Sequence, residues 1–490
     1  MKKRLLSLFL IAVMLLSCGV LGASAEDKPE LTFLITSPTY DIEGDVTVQA
    51  VRRISGYQIN YEQLNGTEQL SLIISGDKEA SQYDFINLSK ARYNLMMSNE
   101  ALTDITDLLD EYGPNIKAAY STLWPAVTVD GRIYAIPSTA AQPNSLNASI
   151  MARKDLLDAI GYTEDKLPRK LDDFIQMLRD VQAAYPDMVP LTMAQGYIVT
   201  PIASAYNLLA EQAPYQYLDG HVISVLDNPN LEKYLETMRM LYNEHLIDIE
   251  MPALDATTAS NKWAAGQAVM LYASWKGCDP YIAAMRELFP DMDYEILPLL
   301  EDENGKVHAQ VYYGVGSYGG FPVTSKNTVD TIKAINTMME DANYKELVLG
   351  VEGVHWEYRD GAIYPIQPAF NDEKNNSNSF LGGLYREDVY PIYWEVRLKK
   401  NNDIERCFYG MRDSLLDGGE QSPTAIAPTV TVVDNLNALE TRIKDTLVAI
   451  VSVSEDMSAL QSLRDYWNAN GGDQVVEFYD TWYNENIANK

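Results

Sequence analysis

Three features of the sequence predict an α/β fold in two domains. Short apolar runs of strand length alternate with stretches whose apolar residues recur at helical spacing, the mark of a largely parallel sheet flanked by helices. About 465 residues remain after an N-terminal leader, enough for two or three domains at about 150 residues each, and two is the reading taken. No Pro/Gly/Ser-rich linker divides the chain. The domains are therefore expected to be discontinuous, with the chain crossing between them several times.

The elements follow in order. Leu31 to Thr36 (LTFLIT) is a continuous apolar run that stops at Ser37-Pro38, so a buried strand is expected there. Gly56 to Asn60 and Tyr83 to Leu88 repeat the theme, with a helical stretch at Glu68 to Ile74 between them. Asp130-Gly131 is a hairpin pair, and Ile133 to Pro137 reads as a strand. A polar loop, Ser138 to Asn147, leads to a strand at Ser149 to Ala152 and a helix from Lys154 to Gly161. Apolar residues at Leu171, Phe174, Ile175, Leu178 and Val181 define one buried helical face. The sets Leu231 to Tyr242, Ile332 to Ala342 and Val475 to Trp482 do the same. Asn261 to Gln267 reads as a helix end broken by Gly266, and Val269 to Ala273 as a strand ending at Trp275. The segment Asn371 to Ser379 (NDEKNNSNS) reads as a surface insertion.

The chain opens MKKR followed by the apolar run Leu5 to Leu16, the head and core of an export signal. Ala23-Ser24-Ala25 is an A-x-A cleavage site, which places residues 1–25 in the signal; Leu15-Leu16-Ser17-Cys18 is a competing site that would lipidate Cys18. The leader holds Lys2, Lys3 and Arg4 and no acidic residue. The exported chain is thus more acidic than the whole, whose 38 basic and 69 acidic residues already sum to −31. Such a surface repels phosphate backbones, so nucleic acid is excluded as a partner and strongly anionic small ligands are disfavoured.

Cys278 and Cys407 are the two cysteines left after export; an oxidising compartment permits them to pair, and the sequence leaves open whether the fold does. An enzyme finds little support. His221, His245, His308 and His355 stand isolated, without H-E-x-x-H or G-x-S-x-G. Gly314-x-Gly316-x-x-Gly319 matches a dinucleotide fingerprint, but Phe321 to Thr324 reads as continuing strand where a helix should open. A carboxylate pair of the glycosidase type is not singled out in so acidic a chain. No cofactor and no metal site is expected.

Three segments in order carry a resemblance. Asp130 to Gly161 (DGRIYAIPSTAAQPNSLNASIMARKDLLDAIG), Trp263 to Trp275 (WAAGQAVMLYASW) and Gly314 to Asn327 (GVGSYGGFPVTSKN) resemble the outward crossing, the tryptophan-ended strand and the return crossing of extracellular solute-binding proteins of ABC importers. The likeness is to the carbohydrate-uptake type, family 1, which includes maltose-binding protein. The terminal GGDQVVEFYDTWY is similar to the closing helix of the larger lipoprotein-LipO-like members. The polar loop after Pro137 is longer than in the maltose binder, so no ligand residue is carried across it.

The resemblance implies a two-lobed periplasmic-binding-protein fold (type II): discontinuous lobes, 28–140 with 318–385 and 145–314 with 386–490, joined by hinge strands around a ligand cleft. It implies an exported, non-catalytic monomer at the cell surface, in the periplasm or outside the cell. That monomer takes a small polar solute, an oligosaccharide first and a peptide or polyol second, to the ABC permease subunits; a secreted glycoside hydrolase is the remaining alternative. In open α/β sheets ligands bind at the carboxyl ends of strands. Trp275 is expected there as a stacking face for a sugar, the alternative being a core tryptophan. Ser37, Tyr40, Asn87 and Ser89 follow first-lobe strands and would rim the cleft, or form turns. Asn144 and Asn147 lie in the crossover loop, to cap a helix or bind ligand, and Tyr318 lies in the return crossing.

Overall fold

The computed structural model describes residues 28–489 apart from 37–40, 79–81, 141, 143, 212, 376, 431 and 434. Ser37, Tyr40 and Cys18 lie outside the described residues. Two separate sheets organise the chain. The first contains β1 (Leu31–Ile35), β2 (Ile59–Gln63), β3 (Phe85–Leu88) and β4 (Ala135–Thr139). The second contains β5 (Ala148–Arg153), β6 (Val189–Met193), β7 (Ala268–Ser274) and β8 (Tyr294–Ile296). The chain then returns to the first sheet as β9 (Val315–Gly320), giving the orders β2-β1-β3-β9-β4 and β8-β5-β7-β6.

Strand directions explain where a ligand can sit. β1 runs parallel to β2 and β3, while β9 is inserted antiparallel between β3 and β4. In the second sheet β7 is parallel to β6 and antiparallel to β5. The chain thus leaves the first sheet at the end of β4, enters the second at the start of β5, and starts β9 beside the end of β4. Carboxyl ends of the parallel strands and both crossings fall on one side.

Each sheet is covered on both faces, as side-chain alternation requires. Leu31, Phe33 and Ile35 face one core and Leu34 another. Ile150 and Ala152 face a core that includes the C-terminal helices, while Met151 faces a third that includes Trp263 and Trp275. The periodic segments form helices at Leu171–Ala184, Leu231–Asn243, Thr328–Met338 and Gly472–Tyr483. Asp130 and Gly131, with φ of 50° and 75°, make the expected hairpin between Thr128–Val129 and Arg132–Ile133.

Two crossings show why particular residues are needed. Gly314 has φ +89°, and a Cβ there would collide with the Ala425 carbonyl, so only glycine allows the return strand to pass the segment from the other lobe. A third crossing follows Arg386, whose guanidinium donates to Met339 O (2.7 Å), Asp341 (2.7 Å) and Asp388. The helix Tyr390–Leu398 then packs Tyr390 and Val396 on the first-lobe core, while Leu398 joins the Trp275 cluster.

Two sequence expectations are corrected. Asn371 to Ser379 is helical rather than a loop, in Ala369–Lys374 and Ser377–Phe380; Asn371, Asp372, Glu373 and Asn375 are exposed as expected, but Lys374 is 1% exposed. Its ammonium donates to Thr47 Oγ1 (3.0 Å) and to Leu347 O (2.9 Å). The strand after Gly319 ends at Gly320, and no helix begins before Thr328, so the Gly-rich segment lacks the helix N-terminus a pyrophosphate needs.

Candidate functional site

A cleft of about 1020 Å³ opens at the strand ends of the second sheet. Its floor is the start of β5 (Asn147, Ala148), the end of β6 running on to Gln195 and Tyr197, and the end of β7 (Tyr272 to Ser274). Walls come from the helix Ala256–Ala264, from Pro280 and Tyr281 of the helix Asp279–Leu288, and from Asn437, Glu440, Thr441 and Lys444 of the helix Leu436–Val451. Ala91, on the first-lobe helix Lys90–Ser98, closes the far side. The Thr429 hydroxyl also reaches Asn94 of that helix at 3.2 Å.

The lining combines tyrosine faces, neutral polar groups and four ionisable side chains, Glu211, Lys276, Glu440 and Lys444. The Tyr272 hydroxyl lies 2.8 Å from Thr200 Oγ1, which in turn donates to Glu211 Oε2 at 2.6 Å. Burial pushes the Glu211 carboxyl up to about 7, against the donors Thr200, the Ala148 N–H and the Asn147 amide. Burial likewise raises Glu440, opposed by the Lys90 ammonium from the first lobe and by the Tyr215 hydroxyl at 3.0 Å. Lys276 sits 4.6 Å from the Tyr312 ring centre, a cation–π contact that orients its ammonium on the cleft wall. Among the described residues, no cluster of His, Cys, Asp and Glu has the geometry to hold a metal ion.

Of the residues picked from sequence, Asn147 lines the cleft. Trp275 does not: it is 2% exposed, its indole N–H donates to Leu146 O at 3.0 Å, and Trp394 and Phe408 meet its ring edge-on at 5.4 and 5.1 Å. The stacking expectation is thus corrected to the core alternative. Trp275 lies just past the end of β7 and its side chain joins the cluster of Leu271, whereas Tyr272, Ala273 and Ser274, the last residues of the strand, line the cleft.

Tyr318 is likewise interior, stacked on Tyr93 at 4.5 Å, and presents no face to the cleft. Asn87 lies beneath the Gly382-Gly383 turn, where a Cβ on Gly383 would strike its amide. Ser89 caps the helix Lys90–Ser98 by accepting from Arg92 N at 3.4 Å. Asn144 is a turn residue at φ 59° whose side chain accepts from Gln421 at 3.2 Å. Sequence reasoning missed Tyr272, Tyr281, Glu211 and Glu440; for Tyr272 the signal was there, two positions before the end of an apolar strand.

Two α/β lobes joined by several crossings, with a polar and aromatic cleft at the strand ends of the second sheet, define a two-lobed ligand-binding protein of the periplasmic type. The chain belongs to the family of bacterial extracellular solute-binding proteins, whose sequence profile matches residues 52–345. A protein of Niallia circulans, known as the uncharacterized protein in the butB 5′ region, is 28% identical over 253 residues, 51% of this chain and 98% of that protein.

Among solved structures the chain is similar to the S. pneumoniae ABC-transporter substrate-binding protein FusA, an EF-hand mutant in complex with fructo-nystose. The TM-score is 0.69 at 18% identity, over 94% of this chain and 100% of that one. The alginate-binding protein AlgQ2 gives 0.68 at 15%, over 94% and 98%. An HMO-binding, ABC-transporter-associated solute-binding protein from Bifidobacterium longum infantis gives 0.67 at 13%, over 94% and 99%. At these identities the likeness is one of fold. The family places the protein outside the cytoplasm as a binder of solutes.

Proposed function

We propose that this protein captures an oligosaccharide in its cleft and delivers it to the permease subunits of an ABC importer, without catalysing a reaction. The observation that carries this is the lining: tyrosine faces at Tyr197, Tyr272 and Tyr281 beside Asn147, Gln195, Ser260 and Ser274. Flat apolar faces suit the C–H faces of sugar rings, and neutral donors and acceptors suit hydroxyls. The volume stands at the top of the roughly 300–1,000 Å³ usual for small-molecule sites, room for more than one ring. Neighbours of the same fold described with fructo-nystose and as alginate-binding support the sugar reading.

A thermal-shift screen of mono- and oligosaccharides, peptides and polyols, followed by titration calorimetry of the best hit, tests it. An oligosaccharide is expected to raise the melting temperature with the logarithm of its saturation. Tyr272→Ala should then weaken its binding by about 1–3 kcal/mol, roughly fivefold to 150-fold. A response confined to peptides would overturn the sugar assignment while leaving solute binding intact. The lobes, 28–140 with 318–385 and 145–314 with 386–490, are inferred to close on the ligand by hinge motion at the crossings. Small-angle scattering should show a smaller radius of gyration at saturation; an unchanged profile would count against closure.

Export with loss of residues 1–25 completes the reading, supported by MKKR, the short apolar core and Ala23-Ser24-Ala25. The mass of the exported protein is expected to correspond to a chain starting at Glu26. A diacylated Cys18 at the N-terminus would instead establish a membrane-tethered form.

A further inference from the structure

The chain after the leader holds two cysteines about 130 residues apart, and the fold brings them into the same buried cluster. Cys278 follows Gly277 at the end of the cleft wall and precedes the helix Asp279–Leu288; Cys407 lies inside the helix Asn402–Ser414. Both are 0% exposed. Both are free thiols in this structure, and each is the other's principal titrating neighbour. Cys407 Sγ further lies 3.7 Å from Met151 Sδ. Two thiols with no other cysteine in the exported chain to compete, brought into one buried cluster across so long a stretch of chain, are placed as candidate partners.

We propose that Cys278 and Cys407 form a disulfide in the exported protein, tying the end of the β7 cleft wall to the helix Asn402–Ser414. The reaction is thiol–disulfide exchange during folding, before the cluster is sealed, with a disulfide-bearing oxidant of the extracytoplasmic compartment. One protein thiolate attacks the oxidant's S–S bond, forming a mixed disulfide and expelling one oxidant thiolate. The second protein thiolate attacks the mixed disulfide, forming the Cys278–Cys407 bond and releasing the second. Two protein thiols lose two protons and two electrons, and the oxidant is reduced to its dithiol.

The consequence is mechanical. Lys276 and Gly277 line the cleft immediately before Cys278, so the bond would hold that wall in place while the lobes move. It would also close a long loop in the unfolded chain, where the stabilisation by a cross-link is largest in the chain-entropy account.

The test uses the full protein secreted into an oxidising compartment, denatured and alkylated without reductant, then digested for peptide mapping. The expected result is one linked species containing Cys278 and Cys407, two hydrogens lighter than the sum of the free peptides, which reduction separates. The Cys278→Ala/Cys407→Ala double variant should melt on the order of 5 °C below the unreduced wild type. If the variant does not fold, the mapping of the wild type still decides. Full alkylation of both cysteines in unreduced secreted protein, or linkage of either to another chain, would overturn the proposal. A reading of the cleft as other than a sugar site would leave it untouched.

Discussion

Trp275→Ala is expected to cost about 3–5 kcal/mol of folding free energy, the range for truncating a fully packed aromatic side chain in a core. The ring fills the junction between the end of β7, Leu146 and the helices Tyr390–Leu398 and Asn402–Ser414. Removal leaves a cavity lined by Trp394 and Phe408 and a carbonyl, Leu146 O, without its indole donor. Affinity measured on the folded fraction should change much less than stability, since no face of the ring reaches the cleft. Urea unfolding paired with calorimetry checks both. A binding loss of tenfold or more with stability unchanged would return Trp275 to the ligand.

The second large effect is a pH dependence centred on Lys374. Burial lowers its pKa from 10.5 to about 8, aided by the nearby Arg397 charge and opposed by Asp45, Glu346 and Glu373. The folded state therefore holds this proton less tightly than the unfolded state. Below about pH 8 both states are protonated and the full penalty of a buried ammonium is present. As pH rises from 8 towards 10.5 the folded state has already released the proton, and the penalty is relieved. Relative to Lys374→Met, which has no proton to lose there, the wild type should gain about 2–3 kcal/mol between pH 7 and pH 10. Denaturant titrations of both proteins at the two pH values measure this difference, with other alkaline titrations cancelling. A constant offset would show that the ammonium stays charged throughout.

Lys374 also shows where reading a sequence stops. NDEKNNSNS has the composition of a loop, and nothing within a few residues of it says otherwise. What buries Lys374 and Ser377 within it is distant: Thr47, the Leu347 carbonyl, and Arg397, which donates to Lys374 O at 2.8 Å and to Ser377 Oγ at 2.6 Å. Strand bounds slipped for a related reason. The second strand was expected at Gly56 to Asn60 and forms at Ile59–Gln63, because its register is set by pairing with Leu31–Ile35 rather than by its own apolar content.

The sequence by itself determined the amphipathic helices, the Asp130-Gly131 hairpin, the strand at Leu31, the discontinuous order of crossings and the family. Each of these rests on spacing within a dozen residues, or on motifs kept in a fixed order, and helical periodicity survives whatever packs against it. The tertiary structure alone decided which groups meet the cleft. Tyr272 lies within β7 and lines the cleft, whereas Trp275, one residue past the strand's end, is buried. The side that faces solute and the side that faces core follow from where the helices Asn402–Ser414 and Leu436–Val451 come to rest, more than a hundred residues further along the chain. Burial of a strand end is a property of its neighbours in space, and a linear pattern carries no record of them.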